Sequence, residues 1–282
     1  MYIAIDIGGT NTRIGSFKEL DPSSEVGYKK IPTNQNYKKG LKSIQNTINN
    51  LVSNEKIDSI GISIASGISE EGNTIVNPNI AEWKAEELFL DLKSALQTNI
   101  KIINDGAAGG IAEASMGAGK NLDYFTFLTW GTGLGGVTIK KSGKVLNIYE
   151  YEPGHLKIRG GGHKCECGEI DCIEGYVGGL AVEKRLKKRM SALTDKEWDE
   201  ILDYMRVGIN RILAEHPVNN IIFDGKVIIE HPNFVKKLES MVNNNYPAWV
   251  SFEQSSVGDE APLYGALMAL NKDLDITFRK EF

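Results

Sequence analysis

The sequence holds no apolar run near the ~20 residues that a bilayer-spanning helix demands, so no membrane partner is expected. Its first residues, "MYIAIDIGG", have neither the basic start nor the long apolar core of an export signal. There is no excess of positive charge. Lys and Arg number 32 against 37 Asp and Glu, a formal net charge of −5, which leaves no footprint for nucleic acid. The basic run "KRLKKRM" lies in apolar-periodic sequence and reads as a solvated helix face. Cysteine is scarce: three residues, an odd number, in 282. Without an export signal this points to a reducing cytoplasm and away from a disulfide framework. No G-x-x-x-x-G-K-[ST] occurs, which excludes a P-loop enzyme.

What is present is ordinary in bulk and specific in detail. At 41% hydrophobic and 24% charged, the composition is that of a soluble globular protein, long enough for one large domain or two ordinary ones. Tyr2 to Ile7 reads as a strand, Gly8-Gly9-Thr10-Asn11 as a tight turn, and Thr12 to Phe17 as a second strand. Glycines let backbone N–H groups approach an anion, and successive turn amides form a nest for phosphate. Asp6, at the strand end, is placed to hold Mg²⁺ beside phosphates. A similar unit returns in "YFTFLTWGTGLGGVTIKKSGK", with the turn at Gly131-Thr132-Gly133. It contains G-x-G-x-x-G, but the sequence after it alternates like a strand instead of opening a helix, so the unit reads as a hairpin and not a dinucleotide fingerprint. Recurrence of the unit suggests a duplicated domain gripping one polyphosphate from two sides.

The remaining chain alternates helices and strands, which makes the fold α/β. Leu41, Ile44, Ile48 and Leu51 recur at helical spacing, "KIDSIGISIAS" and "IKIIND" read as strands, and "AEELFLDLKSAL" and "EAPLYGALMALN" as helices. "GAAGGIAEASMGAG" reads as a closely packed helix, and Thr194 with Glu197 forms a capping box that opens another. The strand "IKIIND" presents Asn104 and Asp105 at its end, where ligands sit in open α/β sheets. A kinase of small alcohols needs a base there to accept the hydroxyl proton. Equally, an Asp before Gly-Ala-Ala is a good helix N-cap.

All three cysteines fall in "GHLKIRGGGHKCECGEIDC". Cys165, Cys167 and Cys172 with one histidine complete a Cys₃His zinc site, closed and therefore structural. His155 and His163 are both within reach as the fourth ligand. Free buried thiols and a redox pair are the alternatives. Buried thiols are usually dispersed through helices and strands, and a redox pair is usually C-x-x-C.

Taken together, "DIGGTNTR", "NDGAAGG", "GTGLGG", "EPGH" and "CECGEIDCIEG" resemble, in this order, the ROK family of sugar kinases, over nearly the whole chain. The resemblance implies an actin-like, duplicated ribonuclease-H-type fold of two lobes with ATP and sugar in the cleft between them. The lobes are expected at residues 1–108 with 265–282, and at 109–264. It implies phosphorylation of a hexose or N-acetylhexosamine, with Asp105 as base. Gly67, Asn79, Asn104, Glu152, His155 and Glu174 are the implied sugar contacts. Asp6, Gly8, Gly9, Thr10, Asn11, Thr132, Gly133 and Gly225 are the implied contacts to ATP and Mg²⁺. It also implies that His155, not His163, joins the cysteines on zinc while touching sugar, and that the chain is a cytoplasmic homodimer.

Two departures stand out. The adenosine motif of the family is small and Gly-rich, but here it reads "FDGKV" with Asp224 and Lys226. The segment before "EPGH" carries bulky Tyr149 and Tyr151, expected to reshape the sugar pocket. Two further readings stand beside the kinase. One is a sugar-responsive regulator of the same family, disfavoured because the chain is acidic and reaches "DIGGT" at once, leaving no room for a DNA-reading head. The other is a non-catalytic sugar sensor, motivated by the altered adenosine motif.

Overall fold

The computed structural model describes residues 1–53, 55–68, 74–75, 80–158, 160–246 and 249–279. The chain forms two compact units, Met1–Ser115 with Glu260–Ile276, and Met116–Asp259 with Thr277–Phe282.

In the first unit, β1 (Tyr2–Ile7), β2 (Asn11–Phe17), β3 (Glu25–Pro32), β4 (Ser59–Ile64) and β7 (Asn99–Asn104) form one sheet in the order β3-β2-β1-β4-β7. The first three strands are antiparallel neighbours, while β4 and β7 join in parallel. A parallel step needs a crossover, and the amphipathic helices supply it. Helix α1 (Tyr37–Val52) leads into β4, and α2 (Ala85–Leu96) leads into β7. Ile44, Ile48 and Val52 of α1 and Leu88 and Leu92 of α2 bury against the isoleucine-rich faces of β1 and β4. Between β4 and α2 lies a short ribbon, β5 (Gly67–Ile68) with β6 (Thr74–Ile75). Helix α3 (Asp105–Met116) follows β7, and its residues Gly106 to Ala114 are all buried, as the run of small side chains predicts. Helix α9 (Ala261–Met268) packs on β1 and β4.

The second unit repeats the plan. Strands β8 (Tyr124–Trp130), β9 (Leu134–Ser142), β10 (Val145–Tyr149), β11 (Asn220–Asp224) and β12 (Ser251–Gln254) run in the order β12-β11-β8-β9-β10, and β13 (Asp275–Arg279) extends the β10 edge. Here too the first three strands are antiparallel and the last two parallel. The order of the first sheet, read from its opening strand, is therefore reproduced. This is the duplication that the repeated Gly-rich turn suggests, in the actin-like two-sheet plan that the family resemblance implies. The second core is larger and aromatic, built around Trp130, Trp198, Phe223, Phe234 and Phe252. Short helices α4 (Ile173–Val177) and α5 (Gly179–Leu186) precede α6 (Asp195–Glu215), and α7 (Lys226–Glu230) and α8 (Asn233–Asn243) follow β11.

Helix α6 carries the expected capping box. Glu197 N–H donates to the Thr194 hydroxyl at 3.4 Å, and Thr194 N–H donates to Glu197 Oε2 at 2.8 Å. The Lys188 ammonium, then the Thr194 N–H and hydroxyl, depress the Glu197 pKa to about 2. The sign is that of a carboxylate held below its unfolded value, so its contribution is present above the ordinary 4.5 and fades as pH falls toward 2. Thr194→Ala is expected to cost about 1 kcal/mol in a urea titration at neutral pH, and less at pH near 2.

The basic run ahead of α6 is only partly the solvated face expected of it. Lys184 and Lys188 reach surface carboxylates, but Arg185 turns inward and donates to the carbonyls of Gly175 at 3.0 Å and Tyr176 at 3.1 Å. It thereby satisfies carbonyls at the end of α4 that have no intrahelical partner. Among the described residues, no helix is long and apolar enough to cross a membrane.

Candidate functional site

The Gly8–Asn11 turn joins β1 to β2 and is pinned from outside the motif. Gly8 N–H donates to Asn11 O at 3.0 Å, and Thr33 closes the turn by donating its hydroxyl to Gly8 O at 2.7 Å and its N–H to Thr10 O at 2.9 Å. Gln35 adds a bond to Gly9 O at 3.1 Å. With these carbonyls occupied, the turn stays fixed, and Thr10 is exposed at its tip. Asp6 sits in the middle of the sheet with Arg13 opposite on β2 and Ser63 opposite on β4. Arg13 Nη1 lies 2.8 Å from Asp6 Oδ2, and Ser63 Oγ donates to Asp6 Oδ1 at 3.1 Å. The carboxylate is 3% exposed, so its charge is balanced inside the protein before any cation approaches.

At the end of β7 the two neighbouring polar residues divide their work. Asn104 is the helix cap: its Oδ1 accepts from Gly106 N at 2.8 Å and Ala107 N at 3.2 Å, and its Nδ2 donates to Ser66 O at 3.0 Å. Asp105 becomes the first residue of α3, with Oδ1 sharing the Gly106 N–H at 2.8 Å. It is partly exposed, in the first turn of the helix. The capping role that the sequence allowed Asp105 thus falls mainly to its neighbour. Gly67 pairs with Ile75 in the β5–β6 ribbon. Asn79 lies outside the described residues.

In the second unit, the Gly131–Gly133 turn joins β8 to β9 in the position equivalent to Gly8–Asn11. Gly179 N–H donates to Gly131 O, and Leu180 N–H to Thr132 O, both at 2.9 Å, and the Thr132 side chain is exposed. A Cβ on Gly133 would lie 2.3 Å from Glu174 Oε2. That oxygen accepts from Leu134 N at 2.9 Å, so the glycine makes room for a carboxylate that fastens the turn. The glycine of "FDGKV" is needed more strictly. Gly225 adopts φ 95°, and a Cβ there would lie 2.4 Å from Trp130 O, at the end of β8. The β11–α7 junction therefore abuts the second turn directly. Gly225→Ala combines left-handed strain with a backbone clash, and is expected to cost about 1–3 kcal/mol of stability. Calorimetry checks this, and an unchanged melting temperature would refute it. Asp224 is buried at the end of β11, while Lys226 is exposed and lies 3.6 Å from Glu230.

The two tyrosines ahead of "EPGH" both make their contacts within their own unit. Tyr149 is buried in β10. Tyr151 shares a hydrogen bond of 3.1 Å with Thr138 and packs at a tilt against His216 with ring centroids 3.7 Å apart. Burial pushes the Tyr151 phenol up to about 12, against the bonds from Thr138 and Thr126.

The cysteine loop gathers the expected donors. His155, Cys165, Cys167 and Cys172 present ligand atoms within 4.8 Å of one another. Cys165 Sγ lies 3.6 Å from His155 Nδ1, and Cys167 Sγ lies 3.7 Å from Cys172 Sγ. A tetrahedral zinc with bonds of about 2.3 Å to sulfur and 2.0 Å to nitrogen has edges of roughly 3.5–3.8 Å, so the donor set fits the ion. Burial raises the thiol pKa of Cys165 and Cys172, and a bound dication would reverse that, holding them as thiolates. The loop is shaped by Cys165 N–H on Glu169 O, Ile158 N–H on Asp171 O and Asp171 N–H on His163 O. Gly168 and Asp171 both take positive φ at its bends.

With Nδ1 turned to the cysteines, His155 keeps Nε2 for another partner. Glu174 flanks the knot, its Oε1 3.4 Å from Cys165 Sγ. Glu152 takes a left-handed conformation just before His155. Glu152 is an exposed residue, yet partial desolvation of its carboxyl, opposed by His155 and reinforced by Glu174, raises its pKa. His163 stands outside the cluster, packed at a tilt against Tyr176 with centroids 4.5 Å apart and close to Tyr204. Its part is packing: Tyr176, held between His163 and Tyr204, donates its hydroxyl to Asp171, next to Cys172.

Sequence reasoning passed over Thr33, Arg13 and Arg185. Thr33 and Arg185 act through residues distant in the chain or through backbone, with no local motif to announce it, and Arg13 closes the "DIGGTNTR" motif but gains its role only when β2 pairs with β1 and sets it opposite Asp6.

Comparison with known proteins agrees with this geometry. The xylose repressor of Bacillus subtilis is 27% identical over 231 residues, 73% of this chain and 59% of the repressor. A glucokinase of Streptomyces coelicolor is 28% identical over 201 residues, 70% of this chain and 62% of that enzyme. The chain thus spans about three-fifths of the length of these curated relatives. Among solved structures, a ROK family glucokinase from Streptomyces griseus in complex with glucose and AMPPNP superposes with a TM-score of 0.77 at 20% identity, covering 94% of this chain and 97% of that one. The family model described as "ROK family" matches residues 2–273, and the chain belongs to the ROK family.

Proposed function

We propose that the protein is an ATP-dependent kinase that phosphorylates a hexose or N-acetylhexosamine, with Asp105 as the base. The observation that carries this reading is the division of labour at the end of β7. Asn104 caps α3, so the partly exposed Asp105 carboxylate beside it is not needed as the cap. A sugar hydroxyl attacks the γ-phosphorus in line, and Asp105 takes the hydroxyl proton as the new P–O bond forms and the bond to ADP breaks. The N–H groups of the Gly8–Asn11 and Gly131–Gly133 turns bind phosphate oxygens. Gly225 lets the β11–α7 junction lie close to the second turn, which supports a role for it in holding the nucleotide. Mg²⁺, when bound, neutralises phosphate charge, with Asp6 and the first turn as its place. Glu152, His155 and Glu174 bind sugar hydroxyls, joined by Asn104, Gly67 and Asn79. The Cys₃His cluster holds zinc that does no chemistry but fixes this wall.

A second reading, a sugar-responsive regulator or sensor without catalysis, draws on the likeness to a xylose repressor. A coupled assay for ADP release, run over a panel of hexoses and N-acetylhexosamines with ATP and Mg²⁺, separates the two. Sugar-dependent ADP release is expected. Calorimetric sugar binding without turnover on any member of the panel favours the sensor.

A further inference from the structure

A Cys₃His site that holds a dication carries three thiolate charges against two positive ones, a net charge of minus one. Here two of the three sulfurs belong to buried residues, Cys165 at 5% and Cys172 at 1% exposure. An uncompensated charge in such a place is costly. The acidic groups around the knot do not help. Glu174 lies beside Cys165, Asp171 adjoins Cys172, and Glu166 and Glu169 lie within the loop. Of the nearby cations, Lys184 is engaged with Glu166 at 2.6 Å.

Lys157 is placed differently. It stands directly opposite Cys172 in an antiparallel bridge, and its Nζ lies 3.3 Å from Cys172 Sγ. The ammonium is held there by Ile170 O at 2.6 Å and Glu169 Oε2 at 3.2 Å. Three partners account for its three donors. The Glu169 contact alone, between exposed groups, is worth little.

Resting on the reading of the knot as a zinc site, we propose that Lys157 is a metal-retaining residue. Its N⁺–H···S bond to Cys172 balances the anionic centre and slows zinc loss. Lys157 would then position a ligand through charge and would take no part in sugar or nucleotide chemistry. A lysine that merely staples the loop through Ile170 O would stabilise the metal-free and metal-bound chains alike. A charge-balancing lysine acts chiefly when the metal is bound and all three sulfurs are thiolates.

The test uses the full chain as wild type, Lys157→Arg and Lys157→Met, with Lys157→Gln in reserve should the methionine variant fail to fold. Zinc content of the wild type is measured first, and its absence would contradict the zinc reading itself. Transfer of zinc to a chromogenic chelator is then followed. Lys157→Met is expected to release zinc about 10–100-fold faster, and Lys157→Arg at close to the wild-type rate. The metal-free forms of all three should melt together. Equal zinc retention by Lys157→Met would overturn the role of Lys157 while leaving the zinc site standing. So would an arginine variant as leaky as the methionine one, or an equal loss of stability without metal.

Discussion

Replacing Asp105 by Asn is expected to lower kcat for sugar phosphorylation by about 10²–10⁴-fold, the range over which a positioned general base acts. Sugar and nucleotide affinities should change little. The reason lies in the local geometry. Asn104 already accepts the Gly106 and Ala107 N–H groups, so α3 keeps its cap. An amide at position 105 is nearly the same size as the carboxylate, and it can still accept the Gly106 N–H. What it cannot do is take a proton from a hydroxyl. The effect should therefore fall on kcat, with the folded state and the Michaelis complex intact. Calorimetric sugar affinity beside steady-state kinetics makes the separation. A variant within about 5-fold of wild-type kcat would remove Asp105 from the mechanism, since a base contributes far more than that.

The second large effect is expected from Cys172→Ser. The wild type should carry about one zinc per chain, and the variant almost none, because a structural tetrahedral site tolerates no missing thiolate. Both sheets have their own cores, so the chain should remain folded, with the damage confined to the loop. Hydrogen exchange should accelerate in the segment from His155 to Cys172, whose N–H groups bond mostly within the loop. The functional cost should appear as a raised KM for sugar. Without a metal, His155 Nδ1 and Glu174 keep only their direct contacts to Cys165, and the segment that carries them is held less firmly. Full activity after exhaustive chelation, with less than about half a zinc per chain, would show that the knot is not what holds this wall.

Much of this was legible in the sequence for a physical reason: the readings rested on periodicity and on local chemistry. The spacing of Leu41, Ile44, Ile48 and Leu51 places α1, and the helix runs Tyr37–Val52. The alternation after Gly133 marks a hairpin instead of a dinucleotide fingerprint, and β8 and β9 are antiparallel from Trp130↔Leu134. The clustering of all thiols in one Gly-rich loop foretells the gathered donor set. The illegible features depend on contacts across the chain. Nothing near Thr33 says that it will close the turn at Gly8 from the end of β3. Nothing in "IYEYEPGH" says that Tyr151 points at Thr138 and His216. Lys157 reads as one more surface lysine until the bridge to Cys172 sets it against a sulfur. Asn104 and Asp105 are an intermediate case. Either residue is a good cap, and only the helix start decides which.

The most direct test of the central claim follows the phosphoryl group itself. Wild-type protein with its zinc intact is incubated with ATP labelled in the γ-phosphate, Mg²⁺ and each hexose or N-acetylhexosamine in turn, and the sugar fraction is analysed for label. The account predicts label on at least one sugar, dependent on enzyme and lost in Asp105→Asn. Folded, zinc-loaded protein that binds sugar yet transfers label to no member of the panel would contradict it.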